Sequence, residues 1–149
     1  MTKGDTIEID APPERVWPHV ADLALMRAWH PKLVAAEPLT SGQPRVGSTW
    51  RTVSCMGKRE RRFLSRIEVC EPFTRVVFVH QDDADRNRFA RETIELAPHN
   101  SGTRIIQSLD LTQSGIALPG RLVIGFVARF GTPAGPSIFA ELKRTLERR

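Results

Sequence analysis

The sequence predicts an α+β fold, in which one curved antiparallel sheet wraps around a long C-terminal helix and two short helices follow the first strand. Three observations carry this expectation. A period-2 apolar pattern near the N-terminus gives way at once to a helical segment opened by prolines. Six further β-type runs follow between residues 33 and 112, joined by turns too short for the crossovers that parallel strands require. The chain then becomes helical again, and that last segment is long enough to cover the apolar face such a sheet must bury.

Residues 6–10 place Ile7 and Ile9 between polar neighbours, the pattern of a half-buried strand. Ala11-Pro12-Pro13-Glu14 opens a helix, because a proline there gives up an N–H that has no partner and Glu14 meets the positive end of the helix dipole. Val16, Trp17 and Val20 form its apolar face, and Pro18 predicts a short or kinked helix ending near Ala21. Asp22 is placed to cap a second short helix containing Leu23 and Met26, which Trp29-His30-Pro31 stops. The expected strands are 33–38, 48–54, 61–70, 75–81, 88–98 and 103–112, punctuated by Gly-, Pro-, Asp- and Asn-containing turns. A nearly all-round apolar helical run over 118–130 follows. It is broken at 131–136 and resumes over 137–148, with Ile138, Leu142 and Leu146 inward and Glu141, Lys143, Arg144, Glu147 and Arg148 outward.

A chain of 149 residues, 40% hydrophobic and 26% charged, is expected to form one domain over 1–149 with a core sufficient without metal or disulfide. Lys and Arg number 22 against 17 Asp and Glu, a net charge of +5. Most of that excess lies between Arg51 and Arg75, where seven basic residues meet three acidic ones. No nucleic-acid-binding motif accompanies them and the chain has no Tyr, so the stretch reads as a solvated sheet face with no specific nucleic-acid partner. Cys55 and Cys70 match no zinc or redox spacing, and the four histidines share no ligand spacing, so neither a metal nor a cofactor is expected. A charged N-terminus and the lack of a membrane-length apolar run predict a cytoplasmic protein without a membrane span. Hydrolase, zincin and nucleotide-binding motifs are absent from the sequence.

The runs Ile7-Glu8-Ile9-Asp10-Ala11-Pro12-Pro13-Glu14-Arg15-Val16-Trp17, Trp29-His30-Pro31, Val46-Gly47-Ser48, Glu71-Pro72-Phe73-Thr74-Arg75-Val76-Val77, Gly102-Thr103-Arg104-Ile105 and Leu142-Lys143-Arg144-Thr145-Leu146-Glu147 resemble the SRPBCC superfamily. Within it the chain is most similar to the polyketide cyclase/dehydratase-like bacterial proteins. The resemblance covers nearly the whole chain. It implies a helix-grip domain with an internal cavity between sheet and C-terminal helix, used in different members to carry lipids or hormones or to shape a reactive aromatic precursor. The expected function is binding of a small hydrophobic or aromatic ligand, the alternative an enzyme of cyclase/dehydratase type acting in the same cavity. The other partner left open is a second copy of the chain, as a homodimer.

Six residues are candidates for lining that cavity. In the strand over 88–98, Ala90, Glu92, Ile94 and Leu96 share a face; in the next, Ile105, Gln107, Leu109 and Leu111 do. If both faces point at the helix, Glu92 and Gln107 become polar groups in an apolar space, as expected of an orienting site. Pairing Leu96 with Thr103 would set Glu92 directly opposite Gln107. Burial would then disfavour the charged carboxylate, so that Glu92 also suits an acid/base role. The plainer reading is a solvated glutamate at an open strand end. Trp29 and His30 stand where the resemblance puts the cavity rim, and the plainer, favoured reading of His30 is a loop residue bonded to backbone. Trp50 shares a face with Ser48, Thr52 and Ser54, and its indole offers a stacking surface with one polar handle. Leu109 completes the set. His80, beside Asp82 and Asp83, reads as part of a solvated turn, and His99 as an exposed loop residue.

Overall fold

A computed structural model describes residues 2–113 and 138–147. Seven strands form a single curled antiparallel sheet in the order β1-β7-β6-β5-β4-β3-β2. They are β1 (Thr2–Ile9), β2 (Leu33–Pro38), β3 (Thr49–Met56), β4 (Arg59–Glu71), β5 (Arg75–Asp82), β6 (Phe89–His99) and β7 (Gly102–Asp110). The first two strands occupy opposite edges. Helices α1 (Pro13–Ala21) and α2 (Leu23–Met26) carry the chain from one edge to the other, and α3 (Ala140–Glu147) follows later. This is the helix-grip fold expected from the order of elements.

Each helix forms for a local reason. Pro13 occupies the first turn of α1 and Glu14 sits beside it, as the sequence implied. Pro18 removes one backbone donor inside α1 and lies on the exposed side of the helix. Asp22 caps α2, its Oδ1 accepting from the Ala24 N–H at 2.9 Å. The apolar face of α1, Val16, Trp17, Val20 and Ala21, is buried against the core that also contains Ile94, Leu96 and Ile105.

Two β-bulges shape the sheet, one in β2 between Leu33 and Ala35 and one in β4 between Ile67 and Val69. The second has long-range consequences. Up to the bulge Val69 faces Val77 and Cys70 faces Val76; beyond it Ile67 faces Phe78 and Ser65 faces His80. Without the inserted residue, continuing the count would set Ser65 against Gln81.

The β6–β7 register differs from the expected one by two residues. His99 pairs with Gly102, Leu96 with Ile105, Ile94 with Gln107 and Glu92 with Leu109. The strands zip further because Asn100 accepts a left-handed backbone, φ 55°, in a two-residue turn. Gly102 then lies so close to β1 that an added Cβ would stand 2.2 Å from the Ile9 carbonyl oxygen. A shift of two preserves the face, so Glu92 and Gln107 still project to the same side.

The described part of the C-terminal helix lies along β1. Leu142 and Leu146 are buried as expected, Ile138 is half-buried, and Phe139, which the apolar stripe did not include, is fully buried against Trp29 with ring centroids 5.3 Å apart. Lys143 and Glu147 do not face outward as expected. The Lys143 ammonium donates to the Glu8 carbonyl at 2.8 Å and Glu147 accepts from the Asp10 N–H at 2.8 Å, so both anchor the helix to the edge strand. The expected run over 118–130 lies outside the described residues.

The basic stretch falls on the β3–β4 hairpin and its surroundings. Arg51, Lys58, Arg59, Arg62 and Arg66 are exposed. Arg61 bridges Asp82 at 2.5 Å and Arg75 bridges Glu71 at 2.8 Å. Among the described residues no helix is long and apolar enough to cross a membrane.

Candidate functional site

The concave face of the sheet is set by strand alternation. Trp50 and Thr52 come from β3, Phe63, Ser65 and Ile67 from β4, Phe78 and His80 from β5, Glu92 and Ile94 from β6, and Ile105 and Gln107 from β7. Trp50, Ile67, Phe78, Ile94 and Ile105 are apolar and buried. Through them runs one continuous polar track.

Gln107 Nε2 donates to Glu92 Oε2 at 2.8 Å, and Glu92 Oε1 lies 2.9 Å from His80 Nε2. The other imidazole nitrogen, His80 Nδ1, is 2.7 Å from Ser65 Oγ, which lies 2.9 Å from Thr52 Oγ1. The five side chains come from five successive strands, each contact spanning either a directly opposed pair or a diagonal one. Glu92 and Gln107 are each 7% exposed and Ser65 is not exposed at all.

The protonation of this track follows from its donors. Burial pushes the Glu92 carboxyl up, but the hydrogen bond and charge of His80, the Gln107 amide and the nearby His30 together outweigh it and hold the group below the usual carboxylate range. Glu92 is therefore a carboxylate, opposite to the neutral acid expected from burial alone. With His80 neutral, its Nε2–H donates to Glu92 and Nδ1 accepts from the Ser65 hydroxyl, which in turn accepts from Thr52. With His80 protonated, Nδ1–H donates to Ser65, the Ser65 hydroxyl turns to Thr52, and the Thr52 hydroxyl turns to the Phe63 carbonyl 3.5 Å away. Either state leaves the track hydrogen-bonded, and the two differ by the rotation of two hydroxyls.

An aromatic cluster flanks the track. Phe78 stacks on His80 with centroids 5.8 Å apart, Phe63 meets His80 edge-on at 6.4 Å, and Trp50 meets Phe78 edge-on at 6.1 Å. Trp50 is 3% exposed and directly opposite Ser65 in the sheet. Trp29 donates its indole N–H to the His19 carbonyl at 3.0 Å and packs its ring between His30 and Phe139, which makes it an anchor of the core. His30 is half-buried, and its Nδ1 accepts from the Lys32 N–H at 3.1 Å, so the backbone contact of the plainer reading exists beside the electrostatic influence on Glu92.

Of the six predicted residues, the structure thus brings Glu92 and Gln107 into direct contact, through a diagonal pair instead of the expected opposed one. Half-buried Leu109 stands directly across from Glu92. Trp29 and His30 adjoin each other, and Trp50 joins the track through Ser65 and Phe78. Sequence reasoning missed His80, Ser65 and Thr52 as members of the site. His80 is no part of a solvated turn, because β5 extends to Asp82 and the even-numbered positions of that strand face inward. Val76-Val77-Phe78-Val79 is apolar at every position and gives no alternation from which the face could be read. Among the described residues, no three His, Cys, Asp or Glu come together as a metal site would need.

A family model described as "Polyketide cyclase / dehydrase and lipid transport" matches residues 4–147. No curated protein matches the chain. Solved structures share its fold. Protein CV1439 from Chromobacterium violaceum is 20% identical with a TM-score of 0.69, covering 100% of this chain and 99% of its own. Protein NE0264 from Nitrosomonas europaea is 17% identical with a TM-score of 0.69, over 99% and 94%. TTHA0849 from Thermus thermophilus is 22% identical with a TM-score of 0.65, over 87% and 85%. The helix-grip topology and a family match that runs almost from end to end agree, and the chain belongs to the polyketide cyclase/dehydrase and lipid transport family.

Proposed function

We propose that this protein binds a small hydrophobic or aromatic ligand against the concave face of the sheet, in the space between sheet and C-terminal helix. Trp29, Trp50 and Leu109 supply the apolar walls, with the His30 imidazole beside Trp29. Glu92 and Gln107 form the polar spot that orients the ligand. The observation that supports this best is the Gln107–Glu92–His80–Ser65–Thr52 track set into an otherwise apolar surface. A core built for stability alone gains little by burying a carboxylate and an imidazole, because their desolvation offsets most of their attraction. A few convergent polar groups within apolar walls is what an orienting pocket requires.

Native mass spectrometry of the purified protein and thermal melts with apolar fused-ring probes test this reading. A retained small molecule, or a stabilisation approaching about 2.7 kcal/mol at a hundredfold excess of probe over its Kd, is expected. Flat melts across the whole set, with no retained molecule, refute it.

His80, held between a carboxylate and a hydroxyl, supports a second reading: an enzyme of cyclase/dehydratase type, in which His80 moves a proton on the bound ligand and Glu92 orients it. Glu92→Gln separates the two. Lost turnover with retained affinity favours the enzyme, weakened affinity alone favours the binder, and no change in either removes Glu92 from the site.

A further inference from the structure

Trp50 presents a chemical mismatch with its surroundings. Among the described residues, its indole Nε1 is the buried side-chain polar atom without a hydrogen-bond partner. An indole N–H only donates, and burying it unpaired costs about 1–3 kcal/mol. The same fold satisfies Trp29, whose N–H reaches the His19 carbonyl, so that indole keeps no donor for a ligand.

The neighbours of Trp50 explain why its donor is left over. Ser65, directly across the sheet, has its Oγ engaged by both Thr52 and His80. Phe78, at the edge of the indole, has no side-chain acceptor to give. The carboxylate of Glu92 is held by His80 and Gln107, further along the same face. The concave face therefore presents one unused donor near one end of the track and one fixed negative charge towards the other.

Building on the ligand-binding function proposed above, we propose that Trp50 selects the ligand: its N–H donates to a carbonyl oxygen, so that the site takes a neutral ketone, quinone or ester in preference to a hydrocarbon of the same shape or a carboxylate. A hydrocarbon leaves the indole donor stranded. A carboxylate satisfies the donor but brings a second negative charge onto the same low-dielectric face as Glu92, which repels it along the track. A neutral carbonyl meets both conditions.

Three probes of matched shape test this: 2-acetylnaphthalene, 2-isopropylnaphthalene and 2-naphthoate, titrated at pH 7.5 against the full chain by calorimetry. The ketone is expected to bind at least tenfold tighter than either of the others. Trp50→Phe should bring ketone and hydrocarbon to within about twofold, and Glu92→Gln should narrow the gap between ketone and carboxylate. In 15N-labelled wild-type protein, the Trp50 indole N–H resonance should move on adding the ketone and stay in place on adding the hydrocarbon, a readout that does not depend on either variant folding. Equal affinity for ketone and hydrocarbon with a stationary indole resonance overturns the role of Trp50 and leaves ligand binding intact. Binding of none of the three refutes the proposed function and this inference together.

Discussion

Removing the Ser65 hydroxyl tests the polar track most directly. Ser65 is fully buried and its Oγ is the middle link, 2.9 Å from Thr52 Oγ1 and 2.7 Å from His80 Nδ1. Ser65→Ala deletes one atom and takes a partner from buried Thr52, which keeps only its long contact to the Phe63 carbonyl, and from half-buried His80. A fully stranded group costs about 1–3 kcal/mol; the residual contact of Thr52 and the partial exposure of His80 keep each loss in the lower part of that range, so about 2–4 kcal/mol in total is expected. Thr52→Val keeps the shape of its side chain but loses the bond to Ser65 and the long contact to the Phe63 carbonyl, for about 1–2 kcal/mol. The two substitutions share one bond. In the double variant that bond is lost only once, so the combined loss should fall short of the sum by about 1 kcal/mol, within the range seen for residues in one network. Urea unfolding of the wild type, both single variants and the double variant at pH 7.5 measures every term. Losses below about 0.5 kcal/mol for Ser65→Ala, or strict additivity, would refute the linked track.

Three further outcomes are expected. Leu142→Ala should cost about 2–5 kcal/mol in a denaturant melt because Leu142 is fully buried, whereas Arg144→Ala, on the exposed side of α3, should cost under about 0.5 kcal/mol. Gly102→Ala should destabilise by about 3 kcal/mol, since its Cβ would meet the Ile9 backbone oxygen and β1 must move away; an unchanged thermal midpoint would contradict the close approach. The Glu92 carboxyl is held below its ordinary range in the folded state, so its contribution is present above the unfolded value near pH 4.5 and is lost as pH falls through the folded one. Other carboxylates, including Asp82 and Glu68, shift in the same direction, so the diagnostic is a difference: below about pH 4.5 the urea midpoint should fall less steeply in Glu92→Gln than in the wild type.

Local chemistry in the sequence determined the order of the described elements, the opening of α1 at Pro12-Pro13, the cap at Asp22, the edges of β2 and the shared faces of Glu92 and Gln107. These features depend on one residue and its near neighbours, or on a period that survives a slip of two, so they are legible without the fold. The partners across the sheet are not. Where Ser65 sits relative to His80 depends on one inserted residue in β4, and nothing in Ser65-Arg66-Ile67-Glu68-Val69 marks that bulge. At the tight end of the β6–β7 hairpin, the need for a glycine at 102 is likewise set by the Ile9 carbonyl, some ninety residues away in the chain. The ionisation of Glu92 was decided the same way. Burial by itself predicts a neutral acid, and only the tertiary structure brings His80, Gln107 and His30 near enough to reverse the sign, because an electrostatic shift is set by distance in space and not by separation in sequence.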